Sequence, residues 1–197
     1  MLGFKKVKAY VHGKGIVTTD VVIKDDVIEF VGDSDKEIES ICDLKDGVLL
    51  PGFIDTHVHG YGYTECSDGE ESSVLYLSEK LPEEGTTAFL ATTITASRKR
   101  ISAMMRTIRG AMKNDEKGAE ILGIHLEGPF ICKEYKGAHE EESILPLSVK
   151  DFDEFNDASE GAIKKITYAP ELDKDMTFSK ALKERGVELC VGHSNDT

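Results

Sequence analysis

The chain has 197 residues, 24 basic and 37 acidic, for a formal net charge of −13 at pH 7. With 40% hydrophobic and 31% charged residues it has the composition of a globular protein, long enough for one full domain and part of a second. The acidic balance argues against a nucleic-acid or anionic-membrane partner, no apolar run nears the ~18 residues of a bilayer span, and the opening MLGFKKVKAYVHGKG lacks a signal-peptide core. Four scattered cysteines, Cys42, Cys66, Cys132 and Cys190, form no CxxC pair, which points away from a disulfide framework or thiolate zinc site and towards the cytoplasm.

The first 48 residues read as β-structure. Short β-branched runs lie at 7–11, 16–23 and 27–31, with Asp25-Asp26 as a tight hairpin turn between the last two. Strands this short cannot bury a sheet face alone, so they need a partner layer. His12, within the first run, reads as structural or solvent-facing.

From Gly47 the pattern turns to strands alternating with helices. A near-continuous apolar run over 48–55 ends at Thr56-His57-Val58-His59-Gly60 and reads as the first strand. Helical spacing follows over 73–81, through Val74, Leu77 and Leu81, and then a strand over 86–95. The next helix, 101–112, sets Ile101, Met104, Met105, Ile108 and Met112 near one face as core packing. A buried strand over 121–127 is closed by Gly128-Pro129. Ser148 caps a helix reaching about Ser159, whose acidic residues read as a solvated face. A strand over 163–169, a helix over 178–185 and a strand over 187–191 complete the series, closed by Gly192-His193-Ser194. This order predicts an α/β fold with a parallel sheet joined by right-handed crossovers. The first strand runs into HVHGYGYTECSDG, without the GxGxxG of a dinucleotide-binding sheet, which favours a (β/α)8 barrel. About five βα units are present, and 197 residues fall short of the ~250 of a usual barrel.

Side chains two apart on a strand point to one side, so His57 and His59 can reach one metal. Glu127 and His193 stand at the ends of two further strands, and in a parallel barrel those ends gather at the face that carries active sites. Three histidines and a carboxylate suit Zn²⁺ or Fe²⁺. Asp55 falls on the ligand side by alternation and reads as support for a histidine.

At these residues the chain resembles the amidohydrolase superfamily, whose first-strand signature is similar to PGFIDTHVHG. More specifically, GIHLEGPF (123–130), KGAH (136–139), TYAPE (167–171) and GHSNDT (192–197) resemble, in order and spacing, the N-acetylglucosamine-6-phosphate deacetylases. The resemblance implies a metal-dependent barrel over 49–197 and, over 1–48, the N-terminal strands of a small β-sandwich. It matches Glu127 and His193 to metal ligands and His57 and His59 to the HxH of members with two metals, so that one or two ions of Zn or Fe are expected. It matches Ala138 and His139 to a sugar-contacting position, with His139 lining the pocket or polarising the substrate. Glu171 reads as a structural hydrogen-bonding group.

The implied reaction is hydrolysis of the N-acetyl group of N-acetylglucosamine 6-phosphate, giving acetate and glucosamine 6-phosphate, with a homodimer expected at full length. The family's further metal histidine, its catalytic aspartate and its phosphate-gripping arginine would fall beyond Thr197. The chain is therefore expected to be a truncated form, inactive alone. Its charge suits an anionic substrate poorly, so phosphate recognition must be local, with Lys133 and Lys136 as candidate helpers. Two other readings stay open: a dihydroorotase-like or deaminase-like amidohydrolase, and a non-catalytic metal-binding fragment.

Overall fold

The computed structural model describes residues 2–25, 27–33, 35, 40–114 and 117–195, in two compact units, 1–52 and 53–197. In the first unit β1 (Leu2–Val11), β2 (Gly15–Lys24) and β3 (Val27–Gly32) form an antiparallel meander. β1 starts earlier than its β-branched run because a bulge lies between Phe4 and Val7. Without it, residues three apart would face opposite ways; with it, both side chains are buried. Lys6 sits in the bulge at φ 48°, and its N–H donates to Asp20 Oδ1 at 2.7 Å. His12 lies outside the strand, exposed in the turn where Val11 faces Gly15. Asp25 takes a left-handed φ of 49°, as a tight hairpin requires; Asp26, the other half of the expected turn, is outside the described residues.

Val48–Leu49 pairs in parallel with β1, so the long apolar run divides. Its front belongs to this sheet, and Pro51-Gly52 breaks it before the next strand. The core here is Phe4, Val7, Ala9 and Val21, flanked by Leu44 and Leu49. Ile16, Val27 and Ile28 remain exposed.

The second unit runs β4 (Phe53–Val58), α1 (Glu71–Lys80), β5 (Thr86–Thr93), α2 (Arg98–Lys113), β6 (Glu120–Glu127), α3 (Val149–Ala158), β7 (Ile163–Tyr168), α4 (Thr177–Glu184) and β8 (Glu188–Val191). All five strands are parallel and lie in chain order, β4-β5-β6-β7-β8. A doubly wound sheet reverses its order at a switch point. Here the order never reverses, which is the winding of a (β/α)8 barrel, and five of its strands are present.

Local chemistry sets the helices. On α2, Ile101, Met104, Met105 and Ile108 are buried at the spacing of one helical face. Ser148 caps α3 by accepting the Asp151 N–H at 3.0 Å, and α3 buries Phe152 and Phe155. α4 is capped by Asp173, whose carboxylate accepts the N–H groups of Phe178 and Ser179 at 3.0 and 2.8 Å.

The acidic residues of α3 are not simply a solvated face. Asp151 accepts two hydrogen bonds from Arg98 of α2, at 2.9 and 2.7 Å, and Asp153 two from Arg185 beyond α4, at 2.7 and 2.9 Å. The packing of neighbouring helices brings guanidinium groups alongside, which the sequence of α3 alone does not reveal. No helix among the described residues is long and apolar enough to cross a membrane.

Candidate metal centre

Strand alternation separates two faces of this sheet. Phe89, Ala91, Ile124, Leu126 and Ile166 enter the core beneath the helices. The intervening Thr92, His125, Glu127 and Thr167 therefore point to the opposite face, where β4 contributes His57 and the residue after it His59.

Glu127 is the centre of the group, buried to 6% exposure. Its Oε1 lies 3.3 Å from His57 Nε2 and 3.3 Å from His193 Nε2. Its Oε2 lies 3.1 Å from His59 Nε2 and 3.7 Å from His139 Nε2. The four expected ligands thus converge, in two groups that share the carboxylate: His57, His59 and Glu127, and Glu127, His139 and His193. Ala138 and His139 line the same cavity of about 520 Å³, together with Arg100 and Thr95.

Hydrogen bonds set the tautomers. His193 Nδ1 lies 2.9 Å from the carbonyl oxygen of Tyr135, which only accepts, so Nδ1 carries the proton and Nε2 presents a lone pair towards Glu127. A lone pair and a carboxylate oxygen 3.3 Å apart repel unless a proton or cation joins them. His57 and His59 bring their Nε2 atoms within 3.3 Å of each other. Three imidazoles around one carboxylate form a donor set that fits a divalent transition metal.

His139 differs. Its Nδ1 accepts the Thr95 N–H at 3.3 Å, so the proton of the neutral ring sits on Nε2, which faces the cavity as a donor. The ring is buried, not a surface group, and burial pushes its pKa down.

Burial alone would raise the Glu127 carboxyl, but the His59 hydrogen bond and the charges of His57, His59 and His139 outweigh it and hold the pKa at about 2. The same Glu127 hydrogen bond raises His59 against the opposing effect of burial.

The loops are braced locally. Gly128, at φ 70°, turns the chain directly after Glu127, and a Cβ there would collide with Thr95 Oγ1. Glu171, read from sequence as structural, accepts from Ser194 Oγ at 2.6 Å and from Asn195 N at 2.7 Å, securing the segment after His193. The GHSNDT match ends outside the described residues, at 196–197. Lys136 donates to the His139 carbonyl oxygen at 3.0 Å, and Lys133 lies 3.6 Å from Glu141, so both meet partners within their own loop. Asp55 accepts the backbone N–H of His57 at 2.9 Å, steadying the strand instead of an imidazole.

Sequence reasoning passed over His125. It is fully buried, its ring 4.6 Å from that of His57, and burial with the charges of Lys165 and His57 pushes its pKa to about 3. The signal was its place two residues before Glu127 on one strand, which puts both side chains on one face.

Known proteins resemble this chain over most of its length. An N-acetylglucosamine-6-phosphate deacetylase of Bacillus subtilis (strain 168) is 37% identical over 196 residues, covering 91% of this chain and 49% of that protein. The crystal structure of such a deacetylase from Thermotoga maritima matches with a TM-score of 0.80 at 32% identity, over 98% of this chain and 48% of that one. One from Pasteurella multocida gives a TM-score of 0.86 at 27% identity, over 100% of this chain and 52% of that one. The chain spans about half the length of these relatives. The family model for the amidohydrolases matches residues 48–189. Since that match takes in β4 through β7 and the start of β8, with His57, His59, Glu127 and the strands that aim them, this chain belongs to the amidohydrolase family.

Proposed function

We propose that the polypeptide carrying these residues hydrolyses the N-acetyl group of N-acetylglucosamine 6-phosphate to glucosamine 6-phosphate and acetate in the cytoplasm. In this reading residues 1–48 are strands of a β-sandwich and 49–197 part of the metal-dependent barrel. The observation that carries it is Glu127, a buried carboxylate with four imidazole nitrogens within 3.7 Å at the ends of parallel strands, in a chain similar to deacetylases over nine-tenths of its length.

His57, His59, Glu127 and His193 would hold one or two divalent ions, zinc or iron. Such an ion supplies Lewis acidity that activates water for attack on an amide carbonyl. Glu127 brings the negative charge that retains the ion. His193 is held by Tyr135 in the tautomer that presents a lone pair. His139 presents a ring proton at Nε2 and would donate it to the acetyl carbonyl oxygen as negative charge develops there. Ala138, with only a methyl group, leaves that wall of the cavity open to the sugar. As the amide C–N bond breaks, the departing nitrogen takes up a proton, and the resemblance assigns that transfer to an aspartate beyond Thr197, after the eighth strand of the barrel.

Acetate release from the sugar phosphate, measured beside dihydroorotate and adenine on the polypeptide containing these 197 residues, tests the reading. Turnover of the sugar phosphate alone is expected. Turnover of either of the others, with none of the sugar, would overturn it.

A further inference from the structure

His125 has a role that the metal ligands do not explain. It is fully buried on β6, and its ring meets that of His57 edge-on, centroids 4.6 Å apart and planes at 81°. Both its nitrogens face threonine hydroxyls on neighbouring strands. Nε2 lies 2.7 Å from Thr167 Oγ1 on β7, and Nδ1 lies 3.4 Å from Thr92 Oγ1 on β5.

Counting protons fixes the directions. The single hydroxyl proton of Thr92 goes to the Leu90 carbonyl oxygen at 3.3 Å. Thr92 Oγ1 itself accepts the Val58 N–H at 3.0 Å, and with its proton already given to Leu90 it accepts from His125 as well. Nδ1 therefore carries the ring proton, and Nε2 accepts from the Thr167 hydroxyl. With both nitrogens engaged, His125 has no lone pair left for an ion. Its hydrogen bonds lead instead, through Thr92, to the amide of Val58, the residue between His57 and His59.

Val58 pairs with Ala91 of β5, beside the Thr92 hydroxyl that accepts its N–H. An apolar ring at 125 would fill the same volume but leave the buried Thr167 hydroxyl without an acceptor. We propose that His125 is a positioning residue which, with Thr92 and Thr167, holds the His57 ring and the Val58 backbone so that both Nε2 atoms stay aimed at Glu127. This rests on the metal-centre reading above.

The test titrates Co²⁺ into the polypeptide containing these 197 residues, following visible absorbance, with thermal unfolding of the metal-free protein in parallel. The wild-type chain is expected to take up two equivalents, and the double variant His57→Gln, His59→Asn identifies the one it loses. His125→Phe keeps a ring of similar size without its hydrogen bonds. It should weaken the His57/His59 equivalent about 10–100-fold and the other by less than about 3-fold. Thr167→Val removes one hydrogen bond without touching the ring, should shift the same equivalent in the same direction, and gives the answer if the phenylalanine variant does not fold.

A merely structural role would lower the melting temperature and weaken both equivalents alike; that outcome, or two equivalents unchanged in both variants, overturns the proposal. A wild-type chain that takes up no Co²⁺, or takes up one equivalent that the double variant retains, overturns the two-ion reading itself and the proposal with it.

Discussion

His193 Nδ1 lies 2.9 Å from the carbonyl oxygen of Tyr135, and this one bond decides which ring nitrogen faces Glu127. Tyr135 belongs to the loop after β6, which also carries Ala138 and His139. Its hydroxyl donates to Asn195 Oδ1 at 2.7 Å, and the Cys132 N–H donates to the His193 carbonyl oxygen at 2.9 Å, so the loops after β6 and β8 brace each other through three hydrogen bonds. His193 itself takes a left-handed φ of 50°, a conformation that the flanking hydrogen bonds to Glu171 help to maintain.

Glu127 is common to both clusters of candidate ligands, so in the two-ion reading its charge matters to each ion. Glu127→Gln keeps the shape of the side chain and removes the charge. Metal analysis should show near-complete loss of bound ion, with the far-ultraviolet circular dichroism unchanged. Retention of more than about half the wild-type metal would contradict a shared carboxylate.

His57→Gln combined with His59→Asn removes one pair of imidazoles and leaves Glu127 and His193 in place. We expect about one ion fewer per chain by elemental analysis. Unchanged metal content would refute the two-ion arrangement.

Glu171 touches no ligand but secures Ser194 and the Asn195 amide. Glu171→Ala should free the segment after His193 and lower affinity for the ion at His193 about 10-fold, with binding at His57 and His59 preserved. Glu171→Gln, which keeps an acceptor oxygen, should recover part of the loss. Equal affinity in wild type and the alanine variant would show that His193 needs no such brace.

The Arg98–Asp151 clamp joins α2 to α3, and the Arg98 hydrogen bonds hold the Asp151 carboxyl below its usual pKa. A carboxyl with a depressed folded-state pKa stabilises the fold above its unfolded value, ~3.9, and loses that contribution as pH falls through the folded value. Asp151→Asn should therefore lower the melting temperature by a few degrees at pH 7. The gap should narrow below about pH 4 and close at still lower pH. A gap that stays constant from pH 7 to pH 2 would mean that the clamp acts through packing alone.

Much of the second unit was legible in its sequence because each element has its own period. Ile101, Met104, Met105 and Ile108 mark one helical face, and the apolar run before Glu127 marks a buried strand, so neither needed a partner to be recognised. Boundaries were harder where two contexts meet. Val48–Leu49 looks continuous with the strand that follows, yet hydrogen-bonds to β1, because a short apolar run carries no signal of which sheet will pair with it.

Sequence alone determined the parallel βα order and placed His57, His59, Glu127 and His193 at strand ends, since alternation and turn residues are local properties of the chain. Only the tertiary structure decided that Glu127 stands between four imidazoles, that His139 is a buried donor and that His125 is a fully bonded support. It also decided that Asp151 and Asp153 are clamped by arginines from neighbouring helices. Tautomer, burial and ion pairing depend on atoms brought together from distant parts of the chain, and no spacing within one element encodes them.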